Sequence, residues 1–300
     1  MTTLTKYAAE TPDKPAIIYG DGEFVQTYAD LELSSRKVGS ALQALGLDYA
    51  YVAFHVLPED LQAALRGMRA FQLRGLNVTV PHKQAVMAEL DEISAEARII
   101  GAVNTIANED GRLCGYNTDG YGFIESLRQE GGLEELPAQV VLLGAGGAAR
   151  AILYALLQRP EVEKIVLLNR TVDRAKVLAG DLDPAGVRVE VEALEEHDGS
   201  GIRDAGLLIN STSMGMHPNE HSSPLRNAAC LHAELLVLDI VYKPLRTRLM
   251  EQAEAVGARV LNGLGMLVFQ GARSFEIWTG EIAPVEVMKQ AALERFGAAS

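Results

Sequence analysis

Cysteine is scarce in this chain: Cys114 and Cys230 are the only two in 300 residues, with no C-x-x-C spacing. That argues against a disulfide framework and against a zinc site. The six histidines, His55, His82, His217 and His221 among them, show no H-E-x-x-H or comparable pattern, so no metal is expected. Positive charge is also short, with 27 Lys and Arg against 40 Asp and Glu and a formal net charge of −13. Without a basic face, nucleic acid is not an expected partner. No apolar run reaches the roughly 18 residues of a membrane span, so no membrane is expected. Residues 1–10 are too polar for a signal peptide, and a cytoplasmic location is predicted. No internal repeat or long low-complexity segment is present. The length suits two domains or one large one, with ample chain to bury a core.

What the chain does have is a dinucleotide-type unit over residues 139–174. Val140-Val141-Leu142-Leu143 is a continuous apolar run, the pattern of a parallel strand buried on both faces. Gly144-Ala145-Gly146-Gly147-Ala148-Ala149-Arg150 follows at once, then an apolar helical stretch over 151–157. A second buried strand over 164–168 ends in Asn169-Arg170-Thr171. Glycines suit this loop because the turn is tight and the backbone must approach a pyrophosphate, which lies on the free N–H groups of the helix start. The loop reads G-x-G-G-x-x-R rather than G-x-G-x-x-G, so its place between strand and helix is the confirming context. At the second strand end, Asp or Glu would bind the ribose 2′-hydroxyl of NAD, whereas Arg accommodates a 2′-phosphate. This chain has Arg170 and Arg174 there and no carboxylate at the strand end. Guanidinium groups match phosphate oxygens bidentately, and NADP is the predicted cofactor. The alternative is that both arginines only solvate a helix start.

Before that unit, residues 16–19 and 24–28 read as a hairpin about Gly20-Asp21-Gly22. Residues 28–45 carry helical spacing through Leu31, Val38, Leu42 and Leu45, closed by Gly46. Residues 51–56 predict a strand, Pro58-Glu59-Asp60 opens a helix with Leu61, Leu65 and Met68 on one side, and 75–80 predicts another strand. A helix with Val86, Met87 and Leu90 and one over 97–101 come next. Residues 103–107 and 113–116 form a hairpin about Glu109-Asp110-Gly111, and Asn117-Thr118-Asp119-Gly120 leads into a helix. Strands alternating with helices predict an α/β fold with a largely parallel sheet. Further on, short strands over 206–209, 235–241 and 259–261 end at Asn210-Ser211-Thr212-Ser213, Tyr242-Lys243-Pro244 and Asn262-Gly263. Ligands sit at such strand ends, which places Ser213, Tyr242 and Gly263 near the cofactor.

Between positions 77 and 119 lie Asn77, Thr79, Lys83, Asn104, Thr105, Asn117, Thr118 and Asp119, polar groups at strand ends and turns. An enzyme moving hydride to or from C–OH needs a group that takes or gives the hydroxyl proton. Lys83 serves if burial lowers its pKa towards neutrality. Asp119 would orient it, although a counter-charge raises the lysine pKa. Two plainer readings stand beside this one: an exposed lysine after a proline, and an aspartate that is only a helix N-cap.

At these residues the chain resembles the shikimate dehydrogenase family. The matching stretches are Leu76-Asn77-Val78-Thr79-Val80-Pro81-His82-Lys83, Gly101-Ala102-Val103-Asn104-Thr105 and Gly115-Tyr116-Asn117-Thr118-Asp119-Gly120. Residues 144–150, Asn169-Arg170-Thr171, 210–216, Asp239-Ile240-Val241-Tyr242 and 262–267 continue the match, which runs from about 45 to 296. The resemblance implies reversible NADP-linked reduction of 3-dehydroshikimate to shikimate, within chorismate and aromatic amino-acid synthesis. It implies Lys83 and Asp119 as the catalytic pair, and Ser34, Thr79, Asn104, Asp119, Tyr242 and Gln270 at the substrate. It implies Gly144, Ala145, Gly146, Gly147, Ala148, Asn169, Arg170, Thr171, Arg174, Ile240 and Gly263 at NADP. The family's division gives a substrate domain of residues 1–118 plus 264–300 and a Rossmann-type NADP domain of 119–263, in a monomer or homodimer.

The front departs from the family. Where the family has S-x-S-P-x-x-H-N, an ungapped count places Glu32-Leu33-Ser34-Ser35-Arg36-Lys37-Val38-Gly39. Ser34 keeps one serine, and Glu32 would repel a substrate carboxylate unless Arg36 or Lys37 offsets it. Residues 7–47 instead resemble the opening of adenylate-forming acyl-CoA ligases, without the nucleotide-binding or catalytic motifs of those enzymes. The chain therefore reads as a shikimate dehydrogenase body with a substituted N-terminal segment. Quinate or another cyclic polyol is the alternative substrate, and a catalytically silent NADP-binding protein is the alternative class.

Overall fold

The computed structural model describes residues 15–19, 24–27, 42, 44–195, 197 and 199–296. They fall into two compact units, one of residues up to Asn117 together with those from Gly271 on, the other Thr118–Gln270.

In the first unit, strands β1 (Pro15–Tyr19) and β2 (Phe24–Thr27) pair antiparallel with Tyr19 opposite Phe24, the predicted hairpin. Most of the helix expected over 28–45 lies outside the described residues, as do Glu32 and Ser34. Its predicted end is observed: Leu42 and Ala44 are helical, Gly46 has φ +64°, and the Leu47 N–H donates to the Leu42 carbonyl at 3.0 Å. That is a left-handed cap with the six-to-one bond of a Schellman ending.

A four-stranded sheet is built from β3 (Gly75–Asn77), β4 (Glu92–Ile93), β5 (Thr105–Glu109) and β6 (Arg112–Tyr116), in the order β3-β5-β6-β4. The β3–β5 and β5–β6 pairs are antiparallel and only β4–β6 is parallel, so the parallel order expected from strand–helix alternation does not extend to this sheet. Asp110 at φ 54° and Gly111 at φ 93° connect β5 to β6, as the positive-φ pair of a tight hairpin turn requires. Residues 51–56 form no strand, against expectation. They are held by side chains and a carbonyl instead: the Tyr51 hydroxyl donates to Asn77 Oδ1, and His82 Nε2 meets the Val56 carbonyl at 2.9 Å. Strand β3 stops three residues before the predicted end. The Val78 N–H still reaches the Asn104 carbonyl, but Pro81 has no N–H with which to prolong a ladder. Helix α1 (Leu61–Ala70) buries Leu65 and Met68 as its spacing predicts, against Val86, Ala97, Val103, Ile106 and Leu113.

The second unit is a six-stranded parallel sheet in the order β12-β11-β10-β7-β8-β9. Its strands are β7 (Gln139–Leu143), β8 (Lys164–Asn169), β9 (Val189–Ala193), β10 (Leu207–Asn210), β11 (Leu236–Asp239) and β12 (Arg259–Asn262). This is the doubly wound dinucleotide-binding order, with its switch point between β7 and β10. Alternate residues of the same strands enter two cores. Val140, Leu142, Ile165 and Leu167 pack with Ile152, Leu153 and Leu156, while Val141, Leu143, Val166 and Leu168 pack with Ile202, Leu249 and Ala253. Burial on both faces is why these strands read as unbroken apolar runs. Strand β9 adds to the expected set. Its signal is the alternation Val189-Glu190-Val191-Glu192, suited to an edge strand of which only one face is covered.

Candidate active site

The carboxyl ends of the parallel strands are laced together. Past β7, the Gly144 N–H donates to the Leu168 carbonyl at 2.8 Å, and the Ser211 N–H donates to that of Leu143 at 2.9 Å. The Ile240 N–H donates to Asn210 and the Gly263 N–H to Val241, each at 3.0 Å. The predicted cofactor residues of four strand ends are thereby brought to one edge. Gly144 has φ +104°, and a Cβ there would lie 2.8 Å from Ser211 Oγ, so this position must be glycine.

Helix α2 (Gly147–Leu157) begins at this loop, and its N-cap, Gly146, supplies no side-chain cap. A Cβ built on Gly146 or Gly147 meets nothing within 4 Å. The helix start thus has no side-chain cap and no neighbour crowding its two glycines, which leaves room for a pyrophosphate at the N–H groups of its first turn. Arg150 pairs with Asp181 at 2.7 Å, which ties α2 to the helix Val172–Leu182. At the end of β8, Asn169 Nδ2 donates to the Thr171 carbonyl at 2.8 Å and shapes the turn. Arg170, Thr171 and Arg174 are exposed there, and among the described residues neither guanidinium has an ion-pair partner. The donor set fits a dinucleotide carrying a 2′-phosphate.

Asp119 is buried, at the first position of the helix Asp119–Gln129, with Thr118 as the N-cap residue. The plain N-cap reading of Asp119 is thus not what is found. Thr118 Oγ1 reaches Gln270 Oε1 at 3.5 Å, and Gly122 lies against the backbone of Met266 and Gln270, so Asp119 and Gln270 occupy one neighbourhood. Ile240 and Gly263 touch: a Cβ on Gly263 would sit 1.8 Å from the Ile240 carbonyl oxygen. Tyr242 follows β11 and is exposed, and Ser213 is exposed beyond β10.

Within the first unit, Thr79, Lys83 and Asn104 are drawn together by backbone bonds. The Val103 N–H donates to the Lys83 carbonyl at 2.8 Å, and the Thr79 carbonyl accepts from His82 at 2.9 Å. Lys83 is half-buried, Thr79 exposed and Asn104 buried.

Sequence reasoning assigned no role to Asp239, and the structure gives it one. This fully buried carboxylate ends β11 and accepts from Asn210 Nδ2 at 2.9 Å, the Val241 N–H at 3.1 Å and Thr247 Oγ1 at 2.7 Å. Burial pushes its pKa up to about 6, against the pull of those three donors. Asn210 in turn accepts from Thr212 N and Oγ1. The available signal was an acid at the end of an apolar strand, where nothing apolar is gained by placing one.

A doubly wound sheet with a glycine loop at its switch point and two arginines at the second strand end defines an oxidoreductase of the dinucleotide-dependent class. Comparison with known proteins narrows this. The family model for the shikimate dehydrogenase substrate binding domain matches residues 31–106, that for shikimate/quinate 5-dehydrogenase 129–242, and that for the shikimate 5′-dehydrogenase C-terminal domain 263–293. The family match thus begins ahead of residue 45, inside the stretch that also resembles acyl-CoA ligases. Shikimate dehydrogenase (NADP(+)) of Methanopyrus kandleri is 48% identical over 266 residues, covering 88% of this chain and 91% of that protein. The Thermus thermophilus shikimate 5-dehydrogenase, solved with NADP(H) and shikimate, has a TM-score of 0.77 at 39% identity, covering 87% of this chain and 94% of that one. The Corynebacterium glutamicum quinate dehydrogenase, solved with NAD, has a TM-score of 0.81 at 31% identity, covering 88% and 95%. The chain belongs to the shikimate dehydrogenase family.

Proposed function

We propose that this chain catalyses the reversible NADP-linked reduction of 3-dehydroshikimate to shikimate, in the cytoplasm, within chorismate and aromatic amino-acid synthesis. The observation that carries the assignment of roles is the bond from Val103 N–H to the Lys83 carbonyl, which seats Asn104 beside the Lys83 turn. Bound NADP(H) supplies hydride transfer at the carbon that carries the hydroxyl. Lys83 gives or takes the proton at that oxygen, and Asp119 orients the same hydroxyl. Thr79, Asn104, Tyr242, Gln270 and, at the front, Ser34 hold the remaining substrate oxygens. Residues 144–148, Asn169 to Thr171, Arg174, Ile240 and Gly263 hold the dinucleotide, with Arg170 and Arg174 on its 2′-phosphate. The proposed division assigns residues 1–118 plus 264–300 to a substrate domain and 119–263 to an NADP domain. All site residues come from one chain, so a monomer or a homodimer serves equally.

The test is NADP⁺ reduction at 340 nm with shikimate, with quinate and without substrate, for wild type and Lys83→Ala. Turnover of shikimate that falls about 10²- to 10⁴-fold in the variant, with NADP⁺ affinity unchanged, is the expected result. A variant that keeps more than about a tenth of the rate ends the assignment of Lys83. Faster turnover of quinate moves the substrate within the family, as the quinate dehydrogenase relative allows. Clear NADPH binding with no turnover of either favours the silent binder.

A further inference from the structure

Asn104 is preceded in space by a line of polar groups that the catalytic roles do not use. Asn77 Nδ2 lies 3.3 Å from the Asn104 carbonyl, a group that only accepts, so the Asn77 amide is oriented with Nδ2 inward. The same Nδ2 donates to Ser274 Oγ at 3.1 Å and reaches Thr105 Oγ1 at 3.4 Å, and Oδ1 on the outer side accepts from the Tyr51 hydroxyl at 2.8 Å. Desolvation pushes the Tyr51 phenol up to about 12, which keeps it a donor. Ser274 Oγ meets Thr105 Oγ1 at 2.7 Å, and Thr105 Oγ1 donates to Asn104 Oδ1 at 2.9 Å. Thr105 has one proton and spends it on Asn104, so Ser274 must be the donor to Thr105. Ser274 and Thr105 are both fully buried and Asn104 is 2% exposed, so water does not replace these links.

We propose that Tyr51, Asn77, Ser274 and Thr105 form a one-way hydrogen-bond relay that sets the amide of Asn104 for the substrate. The relay determines which end of that amide is which. Oδ1 is turned to Thr105 and Nδ2 away from it, so an oxygen of the substrate that meets Asn104 meets a donor. The residues of the relay are positioning residues, acting through Asn104. The inference rests on Asn104 being a substrate residue, as proposed above.

Four full-length variants test it: Thr105→Val, Thr105→Ser, Asn104→Ala and the Asn104→Ala/Thr105→Val double. KM and kcat for shikimate are read at 340 nm, and NADP⁺ affinity by fluorescence quenching. Valine keeps the shape and strand preference of threonine but has no hydroxyl. The expected result for Thr105→Val is a KM about tenfold higher, the worth of a single hydrogen bond, with kcat within about threefold and NADP⁺ affinity unchanged. Thr105→Ser restores KM to within about twofold of wild type, because it restores the donor. In the Asn104→Ala background, Thr105→Val adds nothing further. An unchanged KM in Thr105→Val, a serine variant as impaired as the valine one, or full additivity in the double overturns the relay alone. An Asn104→Ala variant with normal KM overturns the assignment of Asn104 and the relay with it. If Thr105→Val does not fold, Thr105→Ala removes the same hydroxyl and is held to the same rise in KM.

Discussion

Arg170 and Arg174 stand exposed beyond β8, outside any ion pair among the described residues, in a chain whose formal charge is −13. Charge-assisted hydrogen bonds are worth roughly 1.5–3 kcal/mol each, so replacing both with alanine is expected to raise the NADP⁺ Kd at least about tenfold. The affinity for NAD⁺, which has no 2′-phosphate, is expected to change by less than about threefold. Titrating both cofactors against the double variant checks this, and equal losses for the two would place the arginines elsewhere. At this scale the NADP preference was legible in the sequence, and the two arginines proposed to carry it lie at one strand end. The sequence was not legible for Asp239, whose three hydrogen-bond partners come from positions 210, 241 and 247 and are brought together only by sheet order.

Elements meet at the strand ends with almost no spare space. Gly263→Ala would drive a Cβ to 1.8 Å from the Ile240 carbonyl oxygen, and the backbones of β11 and β12 would have to part. Overpacking of this kind costs about 1–3 kcal/mol, and a fall in Tm with weaker NADP⁺ binding is expected. Thr247 joins two duties, as N-cap to the helix Arg248–Glu254 and as donor to Asp239. Asp239 links this junction to pH. Its carboxyl is raised from 3.8 to about 6 in the folded state, so the folded chain binds the extra proton between those values. The stability from this group is full below about pH 4 and is lost as pH rises through 6, with a total on the order of 3 kcal/mol. Urea unfolding of wild type and Asp239→Asn at pH 4.5 and 7.5 tests the sign: the variant is expected to lose this downward slope. A slope of equal size in both would remove Asp239 as its source.

At the scale of the whole molecule the described residues hold a six-stranded parallel sheet, at one edge of which the proposed cofactor residues lie, and a four-stranded mixed sheet. Saturation with NADP⁺ at about 100 times its Kd is expected to stabilise the fold by roughly 2.7 kcal/mol. Hydrogen exchange should register that protection first in the amides of Thr118–Gln270, around Gly144 and the ends of β8, β10 and β11. Protection confined to the four-stranded sheet would contradict the placement of the dinucleotide. Much of this architecture is readable from the chain alone. Continuous apolar runs announce strands buried on both faces, the Asp110-Gly111 pair announces a tight hairpin, and glycines between strand and helix announce an anion loop, since each follows from a residue's immediate neighbours. The tertiary structure alone decided that β3 pairs antiparallel with β5, that residues 51–56 form no strand, and that Asp239 and Asn104 take part in hydrogen-bond networks. Asn77 and Ser274 are 197 positions apart. A local pattern states whether a side chain is to be buried, but the group it meets there is settled by long-range packing.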